Sequence, residues 1–133
     1  MRSWRGNDDV LDAMVRVHGA APHCRLLFVG APPPRITSTL DKARARGLDG
    51  KVFVLGHRRD VPEILAGSDL VVDASYAGLG LTGSLREALA VETPVIGTNL
   101  EGVPELIADG ETGLLVPPRN PEAMAQAMLR MVE

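Results

Sequence analysis

The sequence predicts an α/β fold in which a doubly wound parallel sheet is flanked by helices. Short runs rich in Val, Leu and Ile alternate with longer segments of helical periodicity, which is typical of a parallel sheet. The apolar runs are nearly continuous, as expected of strands that are covered on both faces. The 133 residues are enough for one domain with a hydrophobic core.

The first half of the chain is predicted to contain helices at 8–18 and 36–46 and strands at 24–30 and 51–56. Gly19 and Gly47 stand just past the two predicted helix ends, where glycine is favoured. The segment APPPR at 31–35 predicts an extended loop after the first of these strands. An opening strand is predicted to be missing or reduced to residues 1–3, so that the chain reads as one domain, 1–133, with a truncated start.

The second half continues the alternation. Helices are predicted at 61–66, 84–91, 103–108 and 121–132, and strands at 70–75, 94–99 and 113–118. Asp60 is a candidate N-cap for the helix that follows it, and Pro121 suits a first helical turn.

Composition limits the classes of partner. A net charge of −3 argues against a nucleic-acid partner, and 3% aromatic residues leave too few side chains for stacking bases. The single cysteine, Cys24, cannot form an internal disulfide, which fits a reducing compartment. No apolar run approaches the ~20 residues of a membrane span, so a cytoplasmic location is predicted.

A glycine-rich stretch, GLGLTGS at 78–84, follows the strand at 70–75. Ligands of doubly wound sheets bind beyond the carboxyl ends of the strands, so the loops after 30, 56, 75, 99 and 118 are predicted to form a binding rim. Gly83 and Ser84 would allow a helix N-terminus to approach a diphosphate. The alternative is a strand-to-helix turn in which Thr82 or Ser84 only caps the helix.

Glu87 has two interpretations on its spacing alone. It lies three residues after Ser84, the spacing of a capping box. It could instead accept hydrogen bonds from the two hydroxyls of a ribose beside the diphosphate, as acidic residues do in other nucleotide-binding folds.

The order of motifs resembles the nucleotide-binding C-terminal domain of GT-B glycosyltransferases of family 4, a large retaining family also called glycosyl transferases group 1. The motifs are EALA (87–90), TPVI (93–96), GVPE (102–105), GLLVPP (113–118) and the Asn-Pro pair that opens the last helix. The resemblance extends back through CRLLFVG, VFVLGHRRDVPEILAGSDLVVDAS and RSWRGNDDVLDA, and so covers essentially the whole chain. It implies a Rossmann-like domain that forms the C-terminal half of a GT-B fold.

The resemblance also implies roles for individual residues. Glu87 matches the second carboxylate of the family's Glu-x7-Glu motif and would be the catalytic-site residue that holds the donor ribose. Arg5 stands where the family places a phosphate-binding lysine, with Arg2 as a companion; both could instead be solvated charges at a frayed terminus. The other implied donor-binding residues are Gly30, Gly83 and Ser84 near the diphosphate and His57 and Arg58 around the base, although His57 could be an ordinary loop residue.

Three positions depart from the family pattern. Counting eight residues back from Glu87 reaches Leu79, where the family has the first carboxylate of its motif, and a two-residue insertion would place Ala77 there instead. Glu92 and Glu101 replace glycines that the family usually has. These departures leave sugar identity and catalytic competence open.

The implied function is donor recognition in a glycosyltransferase that transfers a glycosyl group from a nucleotide-diphosphate sugar in polysaccharide or glycolipid synthesis. No metal or other cofactor is expected. The acceptor-binding N-terminal half would come from a missing segment or a partner chain, and a complete enzyme would be compatible with peripheral membrane association. The alternatives are a degenerate nucleotide-binding module and an interaction module without transferase activity.

Overall fold

A computed structural model describes residues 5–77 and 83–132. In this part of the chain, helices and strands alternate throughout, as predicted. The helices are α1 (Asn7–Ala20), α2 (Pro33–Ala45), α3 (Val61–Ala66), α4 (Gly83–Ala90), α5 (Val103–Leu106) and α6 (Pro121–Val132). The strands are β1 (Leu26–Val29), β2 (Val52–Leu55), β3 (Val71–Asp73), β4 (Val95–Thr98) and β5 (Gly113–Val116).

All strand pairs are parallel, which confirms the predicted fold class. The strands form two sheets, however, one ordered β1-β2 and the other β3-β4-β5, where a single sheet was predicted. Among the described residues, no segment pairs with the remaining edges of β1 and β3. The opening strand predicted at residues 1–3 lies outside the described residues.

The three-stranded sheet is buried on both faces because consecutive residues of a strand point to opposite sides. On one side, Ile96 of β4 packs with apolar residues of α1 and α6, including Met14 and Met128. On the other side, Val95 packs with Leu85 of α4 and with residues of α5. The short helix α4 is therefore held by its apolar face against the strands whose ends carry the predicted site.

Two glycines allow this close packing. A Cβ at Gly97 of β4 would lie 2.7 Å from Val103 Cγ1 and 2.8 Å from Ile107 Cδ1, and one at Gly113 of β5 would lie 2.7 Å from Val95 Cγ2. The absence of a side chain at Gly97 lets α5 and the residue after it lie close to the sheet, and its absence at Gly113 leaves room for Val95 of the neighbouring strand.

Several local predictions need correction. The APPPR segment is not an extended loop, because α2 already begins at Pro33, where a proline lacks only an N–H that a first turn does not use. Gly19 lies inside α1, which ends at Ala20. The Asp60 side chain does not cap α3. Gly47, by contrast, follows α2 with a φ of 74°, as predicted for a residue just past a helix end.

Candidate functional site

The start of α1 lies directly on the carboxyl end of β3. Gly6 precedes α1 with a φ of 73°, and a Cβ at this residue would overlap the carbonyl of Ala74. Only glycine fits both the left-handed backbone and this close approach. The contact places Arg5, an exposed residue, next to the end of β3. Arg2 lies outside the described residues.

The first turn of α4 is attached to the same end of β3. Ser84 lies inside α4, one residue after its start at Gly83. Its hydroxyl donates a hydrogen bond of 3.5 Å to Oδ2 of Asp73, the last residue of β3. The prediction that Ser84 could cap the helix is therefore wrong, since a capping residue stands outside the helical turn. Thr82, the other candidate cap, is not among the described residues.

Glu87 is exposed and its carboxylate lies beside the helix start. Oε1 is 3.8 Å from the position that a Cβ on Gly83 would occupy. The capping-box interpretation of Glu87 fails together with the Ser84 cap. An exposed carboxylate near a helix N-terminus, next to the carboxyl end of a parallel sheet, is available to accept hydrogen bonds from a ligand. Its ribose-binding role stays a prediction.

Gly30 turns the chain immediately after β1 with a φ of 92°. Its N–H donates to the carbonyls of Leu55 and Gly56, at 3.1 and 3.0 Å. The amide is thus used within the fold, joining the loops after β1 and β2. Any contribution of Gly30 to a ligand site would come from its lack of a side chain, which would let a ligand lie close to the backbone.

His57 and Arg58 are exposed in the loop after β2. The Arg58 guanidinium binds the Asp60 carboxylate through two hydrogen bonds of 2.8 Å. Hydrogen bonding to Asp60 raises the pKa of Arg58, and the same bonds lower the pKa of Asp60. This pairing explains why Asp60 does not cap α3 and leaves the backbone of the loop as the part that could line a base pocket.

Sequence reasoning missed two polar clusters at this end of the sheets. In the first, the Arg119 guanidinium lies 4.2 Å from the centre of the Tyr76 ring. Its Nε is 3.0 Å from Oδ2 of Asp9, a mostly buried carboxylate in the first turn of α1. The loops after β3 and β5 are thereby tied to α1. No sequence motif marks these partners, because they are far apart along the chain.

The second missed cluster surrounds Asp73. Its Oδ1 accepts a 2.9 Å hydrogen bond from the backbone N–H of Ser75, whose side chain is fully buried. Among the described residues, the Ser75 hydroxyl has no hydrogen-bond partner. The sequence did contain a signal for this cluster, since a charged residue interrupts the apolar run LVVDAS. Because a buried carboxylate without hydrogen bonds is costly, partners for Asp73 could have been predicted.

Other features of the described residues lie away from this rim. A shallow cavity of about 540 Å³ lies at the amino ends of β4 and β5, lined by Thr93, Pro94 and Gly113 among others. It is at the opposite end of the strands from the predicted site. Within the described ranges there is no group of His, Cys, Asp or Glu side chains that could hold a metal ion. None of the helices described is long and apolar enough to cross a membrane.

Comparison with solved structures gives close matches over the chain. HepE from Anabaena, crystallised in complex with UDP-glucose, matches with a TM-score of 0.90 and 25% identity over 100% of this chain and 37% of its own. WaaG, a glycosyltransferase involved in lipopolysaccharide biosynthesis, matches with a TM-score of 0.82 and 25% identity over 96% of this chain and 34% of its own.

Comparison with known sequences also finds glycosyltransferases. Alpha-D-kanosaminyltransferase from Streptomyces kanamyceticus is 29% identical over an alignment of 133 positions, which covers 97% of this chain and 33% of the relative. The chain thus spans about a third of the length of these three relatives. The family model for glycosyl transferases group 1 matches residues 1–133. Since the match extends over the whole chain, the protein belongs to the glycosyl transferases group 1 family.

Proposed function

We propose that this domain binds a nucleotide-diphosphate sugar at the carboxyl ends of its strands and presents the glycosyl group for transfer to an acceptor. The observation that carries the proposal is the match, over the full chain, to a relative that was crystallised with UDP-glucose. The position of α1 and α4 on the end of β3 supports it, because ligands of such folds bind at this edge of the sheet.

Charge stabilisation is the chemical contribution that we assign to the rim. Arg5 and Arg2 would pair with diphosphate oxygens, and the N-terminus of α4 at Gly83 and Ser84 would add the positive end of a helix dipole. During transfer, negative charge builds up on the departing nucleoside diphosphate. Fixed positive groups at that position lower the barrier without reorganising during the reaction.

The remaining predicted residues would orient the donor. Glu87 would hold the ribose hydroxyls, and the backbone at His57 and Arg58 would line the base pocket. Gly30, with no side chain, would allow the ligand to pass close to the loop after β1. In the complete enzyme, a second half or a partner chain would supply the acceptor site.

Three finer features belong to the same proposal. Transfer with retention of anomeric configuration follows from the resemblance to family 4. An acceptor in cell-surface polysaccharide or glycolipid synthesis is supported by the likeness to a lipopolysaccharide glycosyltransferase. We also infer a cytoplasmic location and no requirement for a metal cofactor.

Calorimetric titration with UDP, UDP-glucose and uridine tests the proposal. We expect both diphosphates to bind and Glu87→Gln to weaken each by about 1 to 3 kcal/mol, the range for hydrogen bonds to a charged group. The unfolding free energy should change little, because Glu87 is exposed.

Glu111→Gln is the matched control, since Glu111 is exposed and lies by the cavity at the opposite end of the strands. It should leave the affinities unchanged. Failure of the unchanged chain to bind UDP and other nucleoside diphosphates would refute the proposed function. A loss of stability in Glu87→Gln without a loss of affinity would assign Glu87 a structural role only.

A further inference from the structure

Asp73 connects four parts of the chain at the carboxyl end of β3. The residue is 7% exposed. One carboxylate oxygen accepts from the N–H of Ser75 and the other from the hydroxyl of Ser84, at 2.9 and 3.5 Å. Its carbonyl accepts a 3.4 Å bond from the hydroxyl of Thr98, the last residue of β4. A single residue therefore joins β3, the chain just after it, α4 and β4.

The two serines stand on opposite sides of the glycine-rich segment in sequence. Ser75 precedes that segment and Ser84 follows it. A carboxylate between them fixes where the chain leaves β3 and where it enters α4. Glu87 lies one helical turn after Ser84, so its orientation depends on how the first turn of α4 is held.

Burial separates Asp73 from any direct role in ligand binding. The carboxylate of this buried residue faces neighbouring protein groups, and two of these groups, the N–H of Ser75 and the hydroxyl of Ser84, donate hydrogen bonds to it. A buried carboxylate is costly unless such bonds are made. An apolar side chain could fill this position without any hydrogen bonds. We therefore interpret the hydrogen bonds of Asp73 as a means of orienting the segments that donate them.

We propose that Asp73 is a positioning residue for the donor: it anchors the first turn of α4 to the end of β3 and so orients Glu87 and the helix N-terminus toward the nucleotide. The proposal rests on the proposed function. It adds a residue that acts on the donor through Ser84 and does not touch the donor itself.

Three variants separate anchoring from general stability. Ser84→Ala removes one hydrogen bond of Asp73 and leaves the carboxylate in place. Asp73→Leu removes both side-chain bonds, whereas Asp73→Asn retains an acceptor for the Ser75 N–H and an amide that can bond to the Ser84 hydroxyl. The matched control is Thr93→Val, which removes a buried hydroxyl bond of 2.7 Å to the Leu65 carbonyl, near the opposite end of the strands.

The first measurement is UDP affinity together with urea unfolding. We expect Ser84→Ala to weaken UDP binding by about 3- to 10-fold, the effect of one hydrogen bond, with a small change in stability. Asp73→Leu should weaken it by about 10-fold or more, and Asp73→Asn should stay within about 3-fold of the unchanged chain. Thr93→Val should lower stability and leave the affinity unchanged. Unchanged affinity in a folded Ser84→Ala or Asp73→Leu variant would overturn the proposal.

Amide hydrogen exchange is the second measurement and does not depend on nucleotide. Ser84→Ala should speed exchange at Glu87 and Ala88 in α4, and Thr93→Val should not. If Asp73→Leu does not fold, hydrogen exchange in Ser84→Ala decides the outcome, because it reports on the anchor in the absence of nucleotide and so is independent of any direct contact between Ser84 and the diphosphate. If the unchanged chain binds no nucleotide, the proposed function fails, and normal exchange in Ser84→Ala would show separately that the anchor is absent.

Discussion

Three residues other than glycine adopt a left-handed backbone in the described chain: Glu92, Glu101 and Arg119, with φ values of 62°, 51° and 54°. The resemblance to family 4 places glycine at the positions of Glu92 and Glu101. At both positions the backbone has a conformation that suits glycine, in agreement with the glycine that the resemblance places there. At Glu92 the cause is visible in the hydrogen bonds: the N–H of Glu92 donates to Leu89 and that of Thr93 to Ala88, which is a Schellman ending of α4.

Replacing Glu92 with glycine should therefore stabilise the protein. The left-handed conformation costs a residue with a side chain about 1 to 2 kcal/mol, and the greater freedom of glycine in the unfolded chain offsets about 0.5 to 1 kcal/mol of that. We expect Glu92→Gly to raise the unfolding free energy by about 0.5 to 1 kcal/mol in urea denaturation. Glu92→Ala removes the carboxylate but keeps the strained Cβ, so it should give no gain. An equal gain in both variants would attribute the effect to charge.

The Arg58–Asp60 pair predicts a local dependence on pH. Hydrogen bonds from Arg58 lower the pKa of Asp60 in the folded chain. Because the pKa is lowered, the pair stabilises the fold above the unfolded pKa of about 3.9 and loses this effect as the pH falls through the folded value. In an NMR titration, we expect the pKa of Asp60 to lie below its usual range in the unchanged chain and to return to that range in Arg58→Gln. In the control variant Arg59→Gln, at the neighbouring exposed residue, the pKa of Asp60 should stay low. An ordinary Asp60 pKa in the unchanged chain would contradict the pairing.

At the level of helices and strands, apolar periodicity predicted the alternation and the parallel pairing, because burial on both faces leaves a continuous apolar run. Helix starts were less predictable. Pro33 and Gly19 lie in helices although both residue types also end or interrupt them, and Asp60 pairs with Arg58 instead of capping α3. Which of several nearby groups a side chain binds depends on its position in the folded chain, and a single sequence does not show that position.

Glycine at position 97 is required by the packing of α4 and α5 on β4. A Cβ there would lie 2.7 Å from Val103 Cγ1, 2.8 Å from Ile107 Cδ1 and 3.2 Å from Leu85 Cδ1. We expect Gly97→Ala to lower the unfolding free energy by about 1 to 3 kcal/mol, the usual cost of overpacking. Gly19→Ala is the contrasting change, because a Cβ inside α1 meets nothing within 4 Å and alanine favours helix. Destabilisation by Gly19→Ala of the same size would refute this account.

At the level of the whole molecule, the sequence predicted the family, which the family model confirms. It also predicts a binding site at the carboxyl ends of the strands, and that location stays a prediction. The order of the motifs predicted the family. The binding end of the sheet was predicted because ligands of such folds bind at the loops that follow parallel strands. The anchors Asp73–Ser84 and Asp9–Arg119 could not be predicted in the same way. They join residues 11 and 110 positions apart, and only the folded chain brings them together.

The 133 residues by themselves should bind a nucleotide-diphosphate sugar and transfer nothing. They span about a third of the relatives they match, and Ala77 or Leu79 stands where the resemblance places a sugar-contacting carboxylate. Without an acceptor held against the donor, the gain from orienting two reactants, roughly 7 to 11 kcal/mol in well-oriented systems, is lost.

The assay incubates the chain with labelled UDP-glucose and mixed glycan and lipid acceptors, and it follows both transfer and hydrolysis. Binding without a labelled glycoside is the expected result, with Glu87→Gln lowering the bound fraction. Adding a protein that supplies the acceptor half should restore transfer if the carboxylate at the position of Ala77 or Leu79 is dispensable, and should leave it absent if that carboxylate is required. A labelled glycoside formed by the chain alone at ~1 s⁻¹ or faster, the range of ordinary enzymes, would show that these residues need neither the second half nor the missing carboxylate.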